Sequence, residues 1–242
     1  MKLKFTIQPY QTEAVESVVD VFAGQPFSDH VTYRRNVWIE RDVTNYALTE
    51  EELYMGFANE NVRLSPGRLL ENIHRVQTRN NIKLTDGEHD AASSSEAGSA
   101  QRVVPALGAC SLDIEMETGT GKTYVYIKTM FELNRRYGWS KFIVVVPSIA
   151  IREGVCKSFE TMQEHFMEQY GKKARFFVYD SRRLDKIDQY CQSADLNVMI
   201  INIQAFNARG KDARRIRTQL DAFGSRRPIE VIKSNRPIII LN

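Results

Sequence analysis

Cysteine is scarce in this chain, and its scarcity excludes two classes of protein. The 242 residues include three cysteines, Cys110, Cys156 and Cys191, and no two of them stand in a Cys-x-x-Cys spacing. Thiols that are so few, odd in number and far apart argue against both a disulfide framework and a zinc site. We therefore expect reduced, buried thiols and a cytoplasmic location.

Long apolar runs and a strong charge of one sign are also missing. No stretch approaches the roughly 20 consecutive apolar residues of a membrane span, and no secretory leader opens the sequence, so we expect no membrane partner. The formal net charge is only +3, so the distribution of basic residues matters more than their excess. Hydrophobic residues make up 43% of the chain, which is enough to bury a sizeable core in one large or two small domains.

The most informative motif in the chain is the run 116–123, which reads Met-Glu-Thr-Gly-Thr-Gly-Lys-Thr. A strand, a glycine turn and a helix N-terminus in that order direct backbone N–H groups and the helix dipole at an anion. Lys122 then supplies a cation for the β- and γ-phosphates, and the Thr123 hydroxyl can bind Mg²⁺. The motif predicts an ATP·Mg²⁺ site whose residues are Thr118, Gly119, Thr120, Gly121, Lys122 and Thr123, with Lys122 and Thr123 in the catalytic roles.

This phosphate loop lacks one glycine of the strict Walker A pattern. Met116 stands where that pattern has its first glycine, whereas the two glycines nearest the phosphates are present. A small-molecule kinase with a phosphate loop normally keeps the first glycine, so the departure disfavours that class. The other alternative is a chance Gly-x-Gly-Lys-Thr in a surface turn.

From residue 109 onward, apolar runs alternate with segments of helical spacing. Such alternation predicts an α/β fold with an open, mainly parallel sheet and helices on both faces. The predicted strands are Ser111–Met116, Phe142–Val146, Arg175–Tyr179, Val198–Asn202 and Ile238–Leu241. The predicted helices are Lys122–Tyr137, Ser148–Gln169, Ser181–Cys191 and roughly Asp212–Phe223.

The sequence before residue 109 is less regular, and we divide it in two. Residues 1–24 contain a helix that begins at Pro9, and residues 25–108 are interpreted as an insertion before the core at 109–242. Within the insertion, the patterns predict a strand at Val31–Ile39, a capped helix at Thr49–Phe57 and an amphipathic helix around Leu69–Val76. Residues 85–101 have almost nothing to bury, which predicts a flexible loop.

Several of these stretches resemble the first RecA-like domain of superfamily 2 helicases and translocases. The form Glu-Thr-Gly-Thr-Gly-Lys-Thr is similar to their motif I, and Gln8-Pro9-Tyr10-Gln11 before a helix resembles the adenine-reading Q motif. A glutamine amide both donates and accepts, which matches the N6/N7 edge of adenine. The resemblance assigns that role first to Gln11 and second to Gln8, with an ordinary helix turn as the alternative.

Two further stretches extend the resemblance toward nucleic acid. Residues 146–151 resemble motif Ia and residues 202–207 resemble motif Ib, so Pro147, Ser148 and Gln204 are implied contacts to a nucleic-acid backbone. Ser148 also suits the N-cap of the next helix. The residues of all four motifs are most similar to those of the restriction subunit of type III restriction-modification enzymes.

That family resemblance implies an ATP-driven motor acting on double-stranded DNA together with a modification methyltransferase subunit. In the family, the strand that corresponds to Ile238–Leu241 leads into an Asp-Glu pair, motif II, and the present sequence ends at Asn242. We therefore expect an N-terminal part of a longer enzyme that is not catalytically competent alone. The alternative is a nucleotide-gated DNA-binding or assembly module of another superfamily 2 translocase, of the type I restriction or repair type.

Two features in the core remain to be interpreted. The segment 209–236 is rich in arginine and lies between the motif Ib-like stretch and the last strand, so Arg214 and Arg215 are candidate DNA contacts, with a solvated helix surface as the alternative. Asp180 follows an apolar strand, but Ser181 rather than Glu comes next. We expect Asp180 or Ser181 to be the N-cap of the next helix, and we do not assign Asp180 a catalytic role.

Overall fold

A computed structural model of the chain describes residues 5–29, 31–35, 55–84, 110–206 and 215–242. The described residues belong to two compact units. One comprises residues 1–6, 27–60 and 126–242, and the other comprises residues 7–26 and 61–125. We call these the sheet unit and the loop unit.

The helices and strands, numbered here in chain order, are as follows. The helices are α1 (Pro9–Asp20), α2 (Pro66–Arg79), α3 (Lys122–Tyr137), α4 (Ile149–Tyr170), α5 (Asp185–Gln192) and α6 (Pro228–Ser234). The strands are β1 (Val31–Arg34), β2 (Met55–Ala58), β3 (Lys141–Val146), β4 (Arg175–Val178), β5 (Asn197–Asn202) and β6 (Ile238–Leu241). Short 3₁₀ turns occupy Ile203–Phe206 and Asp221–Phe223.

The sheet unit is built on four parallel strands in the order β4-β5-β3-β6. All six residues of β3 are buried, as expected for a central parallel strand that is covered on both faces. One face of the sheet contributes Ile143 and Met199 to a core that also contains Ile187 of α5. On the opposite face, Phe159 of α4 stacks on Phe176 of β4 with 5.1 Å between ring centroids. The predicted α/β class with helices on both faces is therefore confirmed.

The loop unit contains α1, α2 and the residues that lead into α3. Asn72 is fully buried on α2, and its side-chain amide donates to the carbonyls of Val21 and Ala23, both at 2.9 Å. These bonds satisfy carbonyls that the end of α1 leaves without helical partners. The predicted helices beginning at Pro9 and around Leu69–Val76 are both confirmed.

The predicted strand Ser111–Met116 is wrong. These residues form no ladder with any other described residue, and most of them are exposed, including Ile114 at 49%. A strand requires a neighbour for its N–H and C=O groups, and alternation in sequence does not supply one.

The predicted helix Thr49–Phe57 is also wrong where the structure describes it. Met55–Ala58 pairs antiparallel with β1, with Val31 opposite Ala58, while residues 49–54 lie outside the described ranges. Pairing with a distant strand overrides the local helical pattern here. The predicted loop at residues 85–101 lies outside the described residues as well.

Two predicted helices are shorter than expected. Arg182 donates its N–H to the Asp180 carboxylate at 2.9 Å, and this turn delays the start of α5 to Asp185. Of the predicted helix 212–223, residues 212–214 lie outside the described ranges and 215–217 are helical. Leu220 then forms an antiparallel bridge with Arg226, which is incompatible with a continuing helix.

Candidate nucleotide and nucleic-acid sites

The loop unit holds the run Thr118–Lys122 as a tight turn at the start of α3. Gly119 and Gly121 adopt left-handed backbone angles, with φ of +84° and +89°, which residues other than glycine rarely adopt. Thr120 closes the turn because its N–H and its hydroxyl both donate to the carbonyl of Glu117, at 3.4 and 2.6 Å. The helix then begins at Lys122, as the sequence predicts.

The first residues of α3 present donors without acceptors. The backbone N–H groups of Gly121, Lys122 and Thr123 donate to no acceptor among the described residues. The first helical hydrogen bond at this end runs from Val125 N–H to the Gly121 carbonyl at 3.1 Å. Unsatisfied N–H groups at the N-terminus of a 16-residue helix are a site for an anion. Lys122 is exposed at this point and Thr123 is half-buried.

Helix α1 anchors the turn through the Gln-Pro-Tyr-Gln stretch. The amide of Gln11 donates to the carbonyl of Thr120 at 2.9 Å, and the Tyr10 hydroxyl donates to the same carbonyl at 3.2 Å. Gln11 is 9% exposed, so its bond is shielded from water. These two contacts tie the Thr120 carbonyl of the turn to α1.

Gly119 and Gly121 differ in their surroundings. A Cβ atom on Gly121 would lie 2.5 Å from Nε2 of Gln11, whereas a Cβ on Gly119 would meet nothing within 4 Å. Two features therefore require glycine at position 121: its positive φ angle and its close contact with Gln11 of α1. At Gly119 only the φ angle requires glycine.

Gln8 is the second glutamine of the adenine-reading prediction. Its backbone carbonyl accepts the N–H of Thr12 at 3.2 Å at the start of α1, and its side chain makes no capping bond. No other described residue hydrogen-bonds its amide. The two glutamines thus have different surroundings, because the amide N–H of Gln11 is engaged with the loop.

The predicted nucleic-acid contacts of motifs Ia and Ib lie together in the sheet unit. β3 and β5 are neighbours with Val146 opposite Asn202, so the segments that follow them leave the same edge of the sheet. Pro147 and Ser148 are exposed, and Gln204 donates to the Pro147 carbonyl at 2.9 Å. Ser148 also caps α4, since its Oγ accepts the N–H of Ile151 at 3.3 Å.

The predicted basic contacts are described only in part. Arg214 lies outside the described residues, and Arg215 is exposed. Arg217, two positions further, donates to the carbonyl of Phe206 at 3.1 Å, which places this segment beside the 3₁₀ turn after β5. Arg215 is therefore close in the chain to the Ib-like stretch, although within the described residues it makes no hydrogen bond with Pro147, Ser148 or Gln204.

Asp180, the acid that follows β4, is engaged locally. The guanidinium of Arg182 donates to its carboxylate at 3.1 Å, and this hydrogen bond is the main cause that lowers the pKa of Asp180. The prediction that Asp180 or Ser181 caps the next helix is wrong, because α5 begins at Asp185 and its N-cap residue is Leu184, with no side-chain capping bond. No group of three His, Cys, Asp or Glu side chains in the described part of the chain has the arrangement of a metal centre.

Sequence analysis missed one contact of the phosphate loop and one cluster of arginines. Tyr10 belongs to the Q-like motif, but the sequence gave no reason to assign it a role. In the structure its hydroxyl donates to the Thr120 carbonyl of the phosphate loop. Arg35 and Arg226, which are 191 positions apart, both bind the carboxylate of Asp188. No periodicity in the sequence brings those two arginines together.

Helices on both faces of the parallel sheet, together with a Gly-Thr-Gly-Lys-Thr turn opening α3, define a RecA-like α/β domain. The family described as type III restriction enzyme, res subunit, matches residues 69–239. The chain belongs to that family.

Curated relatives agree with this assignment. The chain is 26% identical over its whole length to the Res subunit of the type III restriction-modification enzyme EcoP15I of Escherichia coli, of which it covers 23%. It is 25% identical over 97% of its length to the EcoPI Res subunit of Escherichia phage P1, of which it covers 22%. The StyLTI Res subunit of Salmonella typhimurium is 32% identical over 54% of the chain, which covers 15% of that protein. The chain thus spans about a quarter or less of the length of these relatives.

Within the described residues, no helix has the length and the apolar character needed to cross a bilayer.

Proposed function

We propose that this chain is the ATP-binding part of the motor of a type III restriction enzyme, a helicase-like ATPase that acts on double-stranded DNA. The observation that carries the proposal is the set of open N–H groups at Gly121, Lys122 and Thr123, directly after a left-handed Gly-Thr-Gly turn. Membership of the Res-subunit family supports the same conclusion.

The roles of the loop residues follow from their chemistry. The open backbone N–H groups of Gly121, Lys122 and Thr123 contact the phosphates, and the exposed Lys122 ammonium neutralises charge on the β- and γ-phosphates. The Thr123 hydroxyl binds Mg²⁺, and Thr118 and Thr120 shape the turn. When bound, the metal ion supplies further charge neutralisation at the transferred phosphate.

We divide the adenine role between the two glutamines. The side-chain amide of Gln11 donates an N–H to the Thr120 carbonyl, and its oxygen remains as an acceptor. Gln8 has an amide with no partner among the described residues, and an amide with both groups open matches the N6/N7 edge of adenine. Gln8 therefore contacts the base, and Gln11 holds the phosphate loop and contacts the base through its oxygen.

For the DNA contacts, the proposal is a surface on the sheet unit that includes Pro147, Ser148, Gln204, Arg214 and Arg215. Gln204 and Pro147 are hydrogen-bonded, which keeps the Ia-like and Ib-like segments adjacent.

The relatives' names describe restriction-modification enzymes, and we extend to this chain a modification methyltransferase subunit as partner and a cytoplasmic location. We also keep as a proposal the division into residues 1–24, 25–108 and 109–242.

Isothermal titration calorimetry with ATP·Mg²⁺ tests the nucleotide site. We expect saturable heat for the 242-residue chain and its loss in Lys122→Ala, with Lys157→Ala as a control at an exposed lysine on α4. Equal binding by the chain and Lys122→Ala would overturn the site.

A phosphate-release assay on the same samples tests catalysis. Asp180, the acid that follows β4, is held by Arg182, so we expect negligible turnover from the chain alone. ATP turnover that disappears in Lys122→Ala would contradict this expectation while supporting the nucleotide site.

A further inference from the structure

Two exposed isoleucines follow neighbouring strands at one edge of the sheet. Ile149 is the first residue of α4, three positions after the end of β3, and it is 62% exposed. Ile203 directly follows β5 and is 47% exposed. β3 and β5 end opposite each other, at Val146 and Asn202, so both isoleucines belong to segments that leave the sheet side by side. We call these two side chains, together with the exposed Pro147, the apolar patch.

The surrounding structure holds the two segments of the patch in place. Gln204 donates its amide N–H to the Pro147 carbonyl at 2.9 Å, which ties the residue after Ile203 to the start of the other segment. Ala205, in the same 3₁₀ turn, is 7% exposed and packs into the core of the sheet unit. The turn is therefore anchored from inside while Ile203 stays in contact with water.

Positive charge borders the patch. Arg217 is exposed and donates to the carbonyl of Phe206, the last residue of the turn that begins at Ile203. Within the part of the chain that the structure describes, neither Arg215 nor Arg217 forms an ion pair. Residues 147–151 and 203–206 contain no Asp or Glu. An anion beside the patch would therefore meet cations and no carboxylate from these two segments.

A nucleic-acid backbone has the chemistry that such a surface fits. Phosphates alternate along it with sugars, so a guanidinium group can bind a phosphate while an apolar side chain covers the neighbouring sugar. The two nucleic acids differ at that sugar, because RNA carries a hydroxyl at C2′ and DNA carries only hydrogen. An apolar contact at C2′ is therefore favourable for DNA, whereas it takes the RNA hydroxyl out of water without a hydrogen-bond partner.

We propose that Ile149 and Ile203 pack on deoxyribose of a bound DNA backbone and thereby select DNA over RNA. Arg217 binds an adjacent phosphate and contributes affinity without distinguishing the two sugars. The inference rests on the proposed function, which supplies the DNA surface next to Pro147, Ser148 and Gln204. What it adds is the choice of sugar and the side chains that make that choice.

The test measures fluorescence anisotropy of three labelled duplexes of one sequence, titrated with the 242-residue chain. The first is DNA, the second is a DNA–RNA hybrid, and the third is the same hybrid with fluorine in place of each 2′-hydroxyl. The fluorinated hybrid separates the effect of the hydroxyl from that of helix shape, because it keeps the hybrid geometry and lacks the hydroxyl donor.

The variants are chosen to separate sugar contacts from phosphate contacts. Ile149→Ser/Ile203→Ser removes the apolar contacts, and Arg217→Ala removes the phosphate contact. Met167→Ser is the matched control, because Met167 is a 41% exposed apolar residue near the other end of α4. Circular dichroism spectra and thermal midpoints establish that each variant is folded.

We expect the unchanged chain and Met167→Ser to bind DNA about tenfold more tightly than the hybrid, because the buried 2′-hydroxyl lacks a partner. The fluorinated hybrid is expected to bind within about threefold of DNA. In the double serine variant the preference for DNA over the hybrid falls to about twofold, since serine hydroxyls can bond the 2′-hydroxyl. Arg217→Ala is expected to keep the preference and to flatten the slope of log K against log salt by about 1 on every duplex.

Two results would overturn the inference while the DNA surface is retained. One is an unchanged preference for DNA in the double serine variant. The other is a fluorinated hybrid that binds as weakly as the RNA hybrid, which would assign the preference to helix shape. If the unchanged chain bound none of the duplexes, the proposed DNA surface itself would be wrong and the inference would fall with it. The ATP calorimetry described above reports on the nucleotide site independently of all these outcomes.

Discussion

Asn59 binds the backbone of Lys141 through both ends of its side-chain amide. Its Nδ2 donates to the Lys141 carbonyl at 2.8 Å, and its Oδ1 accepts the Lys141 N–H at 2.9 Å. The same amide also donates to the Arg236 carbonyl and accepts the Ser140 N–H. One buried side chain thus joins the entry of β3 to the turn that precedes β6.

Substitution of Asn59 by Ala is expected to destabilise the sheet unit by about 3–5 kcal/mol, because several buried backbone groups lose their partners and each costs roughly 1–3 kcal/mol. Urea unfolding followed by circular dichroism measures the change. Gln189→Ala, which removes an exposed amide from α5, is expected to change stability by less than about 0.5 kcal/mol. A loss below about 1 kcal/mol in Asn59→Ala would show that water replaces the amide.

Burial of Lys141 makes the free energy of unfolding depend on pH. Its side chain is buried, donates to the carbonyls of Tyr190 and Ser193, and has a pKa lowered to about 8, mainly by burial. The folded state therefore holds fewer protons on this group than the unfolded state between pH 8 and the ordinary value of 10.5. The contribution of Lys141 to the free energy of unfolding rises with pH across that window.

Comparison with Lys141→Met isolates this contribution, because methionine retains an apolar stem and has no charge. From pH 8 to about 9.5, the stability of the unchanged chain relative to Lys141→Met is expected to increase by about 2 kcal/mol. Urea unfolding at each pH gives the difference, and Lys157→Met, at an exposed position, controls for general charge effects. A difference that is flat or falls over this range would contradict the lowered pKa.

The two loop glycines predict unequal losses of ATP binding. Gly121→Ala places a Cβ 2.5 Å from Gln11 Nε2, whereas Gly119→Ala meets open space, and both positions share a positive φ. We expect Gly119→Ala to weaken ATP·Mg²⁺ binding by about fivefold from backbone strain alone and Gly121→Ala to weaken it considerably more. Calorimetric titration measures both variants.

A double substitution separates strain from the clash at Gly121. In Gln11→Ala/Gly121→Ala the clashing atom is gone, so the combined loss is expected to be smaller than the sum of the two single losses. Strictly additive losses would indicate that the contact with α1 does not determine which side chains are tolerated at position 121.

The two glutamines of the Q-like motif are distinguished by isosteric substitution. Gln11→Glu removes the donor to the Thr120 carbonyl, so we expect weaker binding of both ATP and inorganic triphosphate. Gln8→Glu leaves the loop bonds intact, and we expect it to weaken ATP but not triphosphate. Competition titrations with the two ligands measure this, and equal effects on triphosphate from both variants would refute the division of roles.

Sequence patterns predicted the elements that depend on neighbours along the chain. The start of α3 at Lys122 and the strand Ile238–Leu241 were predicted at their observed positions. In both cases the cause is local: a glycine turn or a run of β-branched side chains. The ATP and DNA contacts assigned from motifs remain predictions.

Local patterns failed where pairing with distant residues decides the conformation. Met55–Ala58 looked like part of a helix and is a strand because β1 lies beside it. Ser111–Met116 looked like a strand and has no pairing partner among the described residues. Alternation and propensity describe which face a segment would bury, and they do not state what lies next to it.

The sequence by itself determined the phosphate-loop motif, the α/β class and the family, because these depend on residue identity at short, fixed spacing. Tertiary structure alone decided that Gln11 is bonded to the loop, that Asn59 holds β3, and that Arg35 and Arg226 share one carboxylate. The partners in these contacts are separated by between 38 and 153 positions. Only the folded chain brings such groups within hydrogen-bonding distance, and no periodicity in the sequence records that proximity.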